Sequence, residues 1–134
     1  MDFISVRIIT DDLKRLVTFY EQVTGVSATW YTQDFAELAT PSCTIAIAHR
    51  RTIELFAAGA AHPADNHSVI LEFRVRDVDA DFRRLSPVLG KVVQEPTTMP
   101  WGNRSVLFRD PDSNLVNLFT PVSPEAIKKF DRQK

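Results

Sequence analysis

The sequence predicts an α+β fold in which two tandem βαβββ modules form a curved, barrel-like cup with the helices on the outside. The first observation is an internal repeat: Asp12-Leu13 and Asp77-Val78 lie 65 positions apart in a chain of 134 residues. The second is that each aspartate follows an alternating strand pattern and precedes an amphipathic helix pattern. The third is that about three further strands follow each helix. A doubly wound sheet would alternate single strands with helices, so we expect one domain over 1–134 with modules at about 1–61 and 68–122.

Each element of the first module has a local cause. Residues 3–10 are β-branched and mostly apolar, which favours a strand. Thr10, Asp11 or Asp12 can then cap a helix, and Gly25 can end it. The apolar face of this helix follows from three- and four-residue spacings, at Leu13, Leu16, Val17 and Tyr20. Three strands are expected, at 27–32, 34–39 and 43–48. Residues 50–61 fit either a strand or a short helix, and we favour the helix.

The second module repeats this pattern after a linker at 60–68 that is rich in turn-forming residues. A strand at 69–75 leads to Asp77, which we expect to cap a helix that ends before Pro87. The apolar face of that helix is predicted at Val78, Phe82 and Leu85. Further elements are strands at 91–95, 103–109 and 114–120, a turn at 110–114 and a C-terminal helix at 124–132.

The composition indicates a protein without an affinity for nucleic acid or membranes. The net charge is -1, and no apolar run approaches the roughly 20 residues that a membrane span needs. The N-terminus lacks the features of a signal peptide. The single cysteine, Cys43, cannot form an intramolecular disulfide, so we expect a cytoplasmic protein.

Three segments together indicate a family. ISVRIITDDLKRLVTFYEQVTGV, LEFRVRDVDADFRRL and PWGNRSVLFRDPDSNLVNLFTP resemble, in this order, three parts of the vicinal-oxygen-chelate superfamily. This is the superfamily of glyoxalases, bleomycin resistance proteins and dioxygenases. The resemblance implies the paired-module fold, a homodimer and a small-molecule ligand. Ser113 departs from it, because the family turn has glycine there, and this predicts a strained or different turn.

The resemblance also implies where metal ligands would stand. Enzymes of the family hold a divalent metal with four His, Gln or Glu side chains on strands that face the cup. The matching positions in this chain are Ser5, Ala46 or Ala48, Ile70 and Asn117. These residues cannot supply imidazoles and carboxylates, so we expect no metal and no cofactor. The three histidines, His49, His62 and His67, match no compact metal site, and we expect them to be solvated.

Strand alternation predicts which side chains face the cup. In the first strand these are Ser5, Arg7 and Ile9, while Val6 and Ile8 pack on the helix. In the second module Ile70, Glu72 and Arg74 face inward. Arg7, Glu72 and Arg74 can orient a polar ligand; the alternative is an Arg7–Glu72 ion pair that closes the cup.

Further candidate ligand contacts lie in both modules. Asn117 and Phe119 share one side of the last strand, and Asn117 can bond either a ligand carbonyl or amine, or neighbouring backbone. Trp30, Tyr31 and Trp101 are candidates for an aromatic wall, with Trp101 as a lid or as a packing residue. Arg104 can face an anionic group or pair with an acidic neighbour.

The sequence is compatible with three functions. The first is a binder that holds a small organic molecule without metal, similar to the bleomycin-resistance branch. The second is a lyase, isomerase or dioxygenase-type enzyme, with Glu72 as the candidate for the catalytic base. The third is a structural or interaction module.

Overall fold

The computed structural model describes residues 1–131, which form two compact units. The first unit spans Met1–Asn66 and the second begins at His67. The boundary falls inside the expected linker at 60–68. We call the two units module 1 and module 2.

Module 1 is a four-stranded mixed sheet with one α-helix. Its elements are β1 (Ser5–Thr10), α1 (Leu13–Thr24), β2 (Thr29–Thr32), β3 (Phe35–Ala39), β4 (Thr44–His49) and a 3-10 helix (Arg50–Leu55). The strand order is β1-β4-β3-β2, with β1 parallel to β4 and the other pairs antiparallel. The ambiguous segment after β4 is therefore helical over its first six residues.

Module 2 has the same strand plan and contains a second α-helix. Its elements are β5 (Ile70–Arg74), α2 (Val78–Leu85), β6 (Lys91–Thr98), β7 (Asn103–Arg109), β8 (Leu115–Pro121) and α3 (Pro124–Asp131). The strand order is β5-β8-β7-β6, again with one parallel pair. Two four-stranded mixed sheets with helices confirm the α+β fold of two βαβββ modules. Neither sheet closes into a barrel by itself, because each order has two different edge strands.

The end of β6 differs most from the sequence prediction, because the other strand ends lie within about two residues of their predicted positions. Strand β6 continues to Thr98 rather than ending at residue 95. The chain contains Pro96 here, and the pairing with β7 shifts register between Gln94 and Thr97. Such a shift on an edge strand accommodates a residue that has no N–H to donate. The helix predicted at 124–132 is confirmed to Asp131, and Arg132 lies outside the described residues.

The repeat of 65 positions is confirmed at the helix caps. The carboxylate of Asp12 accepts a hydrogen bond from the backbone N of Arg15 at 3.2 Å, and that of Asp77 accepts one from Ala80 at 3.1 Å. Of the three residues that could cap α1, Asp12 is therefore the cap. Gly25 ends α1 in the left-handed conformation, as its position predicts.

Helix α1 packs on one face of the module 1 sheet. Leu16, Val17 and Tyr20 are at most 1% exposed. The sheet side of this core consists of Ala36, Leu38, Ile45 and Ile47, which are cross-strand neighbours on β3 and β4. Each large buried side chain stabilises the fold by roughly 1.5–3 kcal/mol. None of the described helices is long and apolar enough to cross a membrane.

Helix α2 packs in the same way on the module 2 sheet. Its buried residues are Val78 and Leu85, and the sheet contributes Val106, Phe108, Val116 and Leu118.

A threonine joins α2 to its sheet. The Thr120 hydroxyl accepts a hydrogen bond from the N of Val78 and donates one to the O of Val75, both at 3.0 Å. One side chain on β8 thus satisfies a helix amide and a strand carbonyl.

Helix α3 is held against the β6–β7 turn at Gly102. The carbonyl of Gly102 accepts hydrogen bonds from Val122 N at 2.9 Å and Ser123 N at 3.1 Å. Gly102 has φ +92, and a Cβ placed there would lie 2.7 Å from Ser123 Cβ and 3.1 Å from Ala126 Cβ. Only glycine combines this backbone conformation with such a close approach.

Ser113 takes the conformation that the family glycine would take. Its φ is +66, in the left-handed region, so the strain predicted from the sequence is present. The turn is held by Asp110, whose carboxylate accepts hydrogen bonds from the N of Asp112, the N of Asn114 and the side-chain amide of Asn114.

Candidate functional site

Each sheet has a face opposite to the one on which α1 or α2 packs, and these two faces carry most of the predicted site residues. We call the one in module 1 face 1; it holds Ser5, Arg7, Ile9, Phe35, Glu37, Ala46 and Ala48. We call the one in module 2 face 2; it holds Ile70, Glu72, Arg74, Ser105, Leu107, Leu115, Asn117 and Phe119. Val6 and Ile8 lie on the α1 side of the sheet, as alternation predicts.

Arg7 is an exposed cationic group of face 1. Its guanidinium carbon lies 4.9 Å from the ring centre of Phe35 and 5.4 Å from that of Phe56. Within residues 1–131, Arg7 forms no ion pair. Arg7 pairs with Ala46 on β4, and Ala46 in turn pairs with Glu37 on β3. The methyl of Ala46 thus separates an arginine from a glutamate on the sheet surface.

An apolar patch adjoins Arg7 on face 1. Ile9, Ala48 and Ile53 form a buried cluster, and Phe35 packs against it. The Tyr31 ring lies 5.9 Å from that of Phe35. Face 1 therefore presents a cation beside aromatic and aliphatic surface.

Face 2 contains two polar residues that are hydrogen-bonded to each other. They occupy the positions in module 2 that are equivalent to Arg7 and Ala46 in module 1. Glu72 and Asn117 are cross-strand neighbours, and Asn117 Nδ2 donates a hydrogen bond to Glu72 Oε2 at 2.8 Å. Asn117 is only 9% exposed, whereas Glu72 is exposed. The other amide oxygen, Asn117 Oδ1, is buried and accepts no hydrogen bond from residues 1–131.

The end of α3 lies on face 2 beside this pair. Arg74 donates a hydrogen bond to the O of Phe130 at 3.0 Å, and the Phe130 ring lies 5.1 Å from that of Phe119. An arginine at the C-terminal end of a helix satisfies a carbonyl that has no partner within the helix. Arg74 and Phe119 are thus on the expected face, where both contact α3.

Arg104 lies on the α2 side of the sheet, away from face 2. It forms two hydrogen bonds with the Asp79 carboxylate, at 2.8 and 3.1 Å. These bonds lower the pKa of Asp79 below its ordinary value. Of the two roles considered for Arg104, the structure favours pairing with an acidic neighbour. This placement leaves Arg104 out of the proposed site.

The two tryptophans lie apart from the polar residues. Trp30 is opposite Ala36, so it lies on the α1 side and not on face 1. Trp101 is 64% exposed in the turn between β6 and β7. Tyr31 is the residue of this aromatic group that reaches face 1.

Sequence reasoning missed three phenylalanines. Phe35 and Phe56 stack on Arg7, and Phe130 packs on Phe119. Phe35 could have been found, because it alternates with Glu37 on β3. Phe56 and Phe130 lie in or next to helical segments, and no strand pattern points to them.

The pairing of the strands favours one of the two alanines at the position where the resemblance implies a metal ligand. Ser5 pairs with Thr44 and Ile70 pairs with Leu115. Asn117 lies two positions after Leu115, so its equivalent lies two positions after Thr44, which is Ala46 and not Ala48.

The side chains at the family's metal positions do not fit a divalent cation. A hydroxyl, a methyl, an aliphatic chain and an amide stand there, and the amide nitrogen is bonded to Glu72. No three His, Cys, Asp or Glu residues in 1–131 are grouped so that they could hold a metal ion. His49 has a structural contact, because its Nδ1 accepts a hydrogen bond from Arg51 N and caps the 3-10 helix.

Two βαβββ modules with the same strand order, each with a helix on one face and polar side chains on the other, define a class of paired-module proteins. A family model described as the Glyoxalase/Bleomycin resistance protein/Dioxygenase superfamily matches residues 3–118. The chain belongs to this superfamily, as the three sequence segments indicate.

Relatives of this chain cover nearly its whole length. The uncharacterized protein YraH of Bacillus subtilis (strain 168) is 25% identical over 125 residues, which are 89% of this chain and 98% of that protein. A glyoxalase/bleomycin resistance protein/dioxygenase family enzyme from Burkholderia phytofirmans PsJN has a similar fold, with a TM-score of 0.80 at 20% identity, over 91% of this chain and 100% of the other. A glyoxalase-related enzyme from Fulvimarina pelagi gives 0.76 at 17% identity, over 90% and 88%. These structures share the fold.

Proposed function

We propose that this protein binds a small organic molecule through side chains of its sheet faces, without a metal ion. The observation that carries the proposal is the buried oxygen Asn117 Oδ1, which lacks a hydrogen-bond donor within residues 1–131. It occurs where the family's metal enzymes have a ligand. A buried acceptor without a partner destabilises a fold by about 1–3 kcal/mol. A ligand that donates to it would offset that cost on binding.

Arg7 supports the same proposal from module 1. A guanidinium stacked on aromatic rings directs its N–H donors outward in its own plane. Since Arg7 has no carboxylate partner within residues 1–131, these donors are suited to a ligand oxygen. The adjoining patch of Ile9, Ala48 and Phe35 offers surface to an apolar group.

A ligand screen in two metal conditions tests the proposal. A library of aromatic amines, acids and amides is added to protein treated with a chelator, and to protein supplied with zinc, nickel or manganese. We expect some compounds to raise the melting temperature equally in both conditions, because no metal takes part. The bound compounds should be recovered chemically unchanged, which separates a binder from an enzyme.

Two variants connect the screen to the site. Arg7→Met or Asn117→Leu should abolish the shift for a compound that uses the altered side chain. Arg15→Met is the matched control for Arg7, because it removes the same charge from an exposed position on α1 of the same module. Stabilisation by metal alone, or no stabilisation by any compound, would contradict the proposal. A cytoplasmic location and a homodimer stay predictions of the sequence.

A further inference from the structure

We infer that the ligand group which reaches Asn117 is a positively charged N–H donor, such as a primary or secondary ammonium, and not a carbonyl or a carboxylate. The inference rests on the proposed function and narrows the ligand class at the same site. From the sequence alone, Asn117 could bond either a carbonyl or an amine. The contacts on face 2 decide between these two possibilities.

The first step concerns the orientation of the Asn117 amide. A carboxylate oxygen accepts hydrogen bonds, so the group that Asn117 presents to Glu72 must be its NH2. The bond from Nδ2 to Glu72 Oε2 measures 2.8 Å, which is a normal length for a charge-assisted bond. Because Nδ2 is held on the side of Glu72, Oδ1 lies on the opposite side of the amide. The atom of Asn117 that has no hydrogen bond within residues 1–131 is therefore an acceptor.

The second step concerns what could satisfy this acceptor. The cross-strand neighbour of Asn117 on β7 is Leu107, an aliphatic side chain that donates no hydrogen bond. Within residues 1–131 no donor bonds to Oδ1. Buried polar atoms are almost always bonded, so the missing partner points to a group from outside the described residues 1–131. That group must carry an N–H or an O–H.

The third step concerns charge. Glu72 is exposed and has no cationic partner within residues 1–131. Arg74 is on the same strand and face, yet its guanidinium bonds the carbonyl of Phe130. A neutral donor would satisfy Asn117 but gain no attraction from the Glu72 carboxylate. A cation with N–H groups satisfies both residues, because Glu72 retains acceptor capacity beyond its bond to Asn117.

The fourth step concerns the rest of the ligand. Leu107 and Phe119 flank Asn117 on face 2. Leu107 pairs with Asn117 from β7, and Phe119 follows Asn117 by two residues on β8. Both are apolar, so the substituent next to the charged nitrogen should be aliphatic or aromatic. An arylalkylamine has this combination of an N–H cation and an apolar group.

Four matched probes separate the contributions of charge and N–H donation. Benzylamine carries both, benzyltrimethylammonium carries the charge without an N–H, benzyl alcohol donates without a charge, and benzoate is an anion. Each is titrated into ¹⁵N-labelled protein, and the side-chain amide signals of Asn117 are followed by NMR. We expect benzylamine to shift these signals and to bind at least about tenfold more tightly than each of the other three probes, since charge-assisted hydrogen bonds are about twice as strong as neutral ones.

Variants of Glu72 and Asn117 test whether this pair determines the affinity for benzylamine. Glu72→Gln should weaken benzylamine binding at least about tenfold, because it removes the charge and no longer fixes the amide orientation. Glu95→Gln removes the same charge from an exposed position on β6 and should leave the affinity within about twofold. Asn117→Leu should abolish binding. Since Glu72 is exposed, its variant tests the inference even if Asn117→Leu does not fold.

The outcomes separate this inference from the proposed function. Tighter binding of benzoate or benzyl alcohol, or benzylamine binding that Glu72→Gln leaves unchanged, would overturn the inference. If benzoate binds and Arg7→Met abolishes this, the proposed function survives while the inference fails. If no probe and no library compound binds, both fail together.

Discussion

Gly102 offers a sharp test of how α3 is attached to module 2. Replacing it by alanine introduces a methyl group 2.7 Å from Ser123 Cβ and 3.1 Å from Ala126 Cβ. Both distances are shorter than van der Waals contact, so the start of α3 must move. The substitution also places a side chain at φ +92, where L-residues are strained.

The two costs can be separated with a matched glycine. Gly25 has φ +71 and nothing within 4 Å of an added Cβ, so Gly25→Ala carries the backbone cost alone. That cost is roughly 1 kcal/mol, because left-handed strain of about 1–2 kcal/mol is partly offset by lower entropy of the unfolded chain. Gly102→Ala adds an overpacking cost of about 1–3 kcal/mol. We expect a total loss of about 2–4 kcal/mol in the free energy of unfolding.

A double-mutant cycle with Ser123 isolates the clash. Ser123→Gly removes the side-chain atoms that lie closest to the added methyl group. Ser123 caps α3, because its Oγ accepts a hydrogen bond from Ala126 N. Glycine is also tolerated at a helix cap, so this change alone should lower the free energy of unfolding by only a few tenths of a kcal/mol. In this background Gly102→Ala should lose most of its overpacking cost, giving a coupling of at least about 1 kcal/mol. Urea unfolding followed by circular dichroism measures all four proteins. A Gly102→Ala loss equal to that of Gly25→Ala, or additive costs in the cycle, would refute the close approach.

Three further predictions concern a turn, a buried hydroxyl and an ion pair. Ser113→Gly should raise the free energy of unfolding by about 0.5–1 kcal/mol, because it relieves the strain at φ +66. Thr120→Val should lower it by about 1–3 kcal/mol, since a helix amide and a strand carbonyl lose their shared partner. Arg104 lowers the pKa of Asp79, so their pair stabilises the fold above the unfolded pKa of about 3.9 and ceases to do so as the pH falls through the lower, folded value. The stability difference between the native protein and Asp79→Asn should therefore shrink as the pH falls below about 4.

Each of these predictions has an internal control. Ser27→Gly makes the same chemical change at an exposed position without positive φ and should destabilise slightly. Thr97→Val alters an exposed hydroxyl and should have almost no effect. The Asp79 effect should diminish at high salt, because both partners are substantially exposed. A Ser113→Gly loss, equal effects of the two threonine changes, or a pH-independent Asp79→Asn difference would contradict the corresponding prediction.

The elements of the fold were largely predictable from local patterns. Asp12 and Asp77 mark both helix starts because a short carboxylate side chain can bond the first free amides of a helix. Gly25 marks a helix end for an equally local reason. Pro96 was misleading in β6, because a strand at a sheet edge can continue past a proline by shifting its register.

The candidate site was predictable only in part. Alternation correctly separates Glu72 and Arg74 from the α2 side, because strand geometry depends on neighbouring residues alone. It says nothing of the Phe130 carbonyl that Arg74 bonds, since that contact joins residues 56 positions apart. The partner of Arg104 was equally unpredictable from alternation, because Asp79 lies on α2 and approaches Arg104 only once the helix has packed on the sheet.

The sequence by itself determined the two βαβββ modules, their repeat and the family. These are properties of residue types and of spacing along the chain. The tertiary structure alone decided which atom of Asn117 is available, because Glu72 orients the amide from a neighbouring strand. An amide side chain can donate or accept, and only its three-dimensional partners determine which of the two groups remains for a ligand.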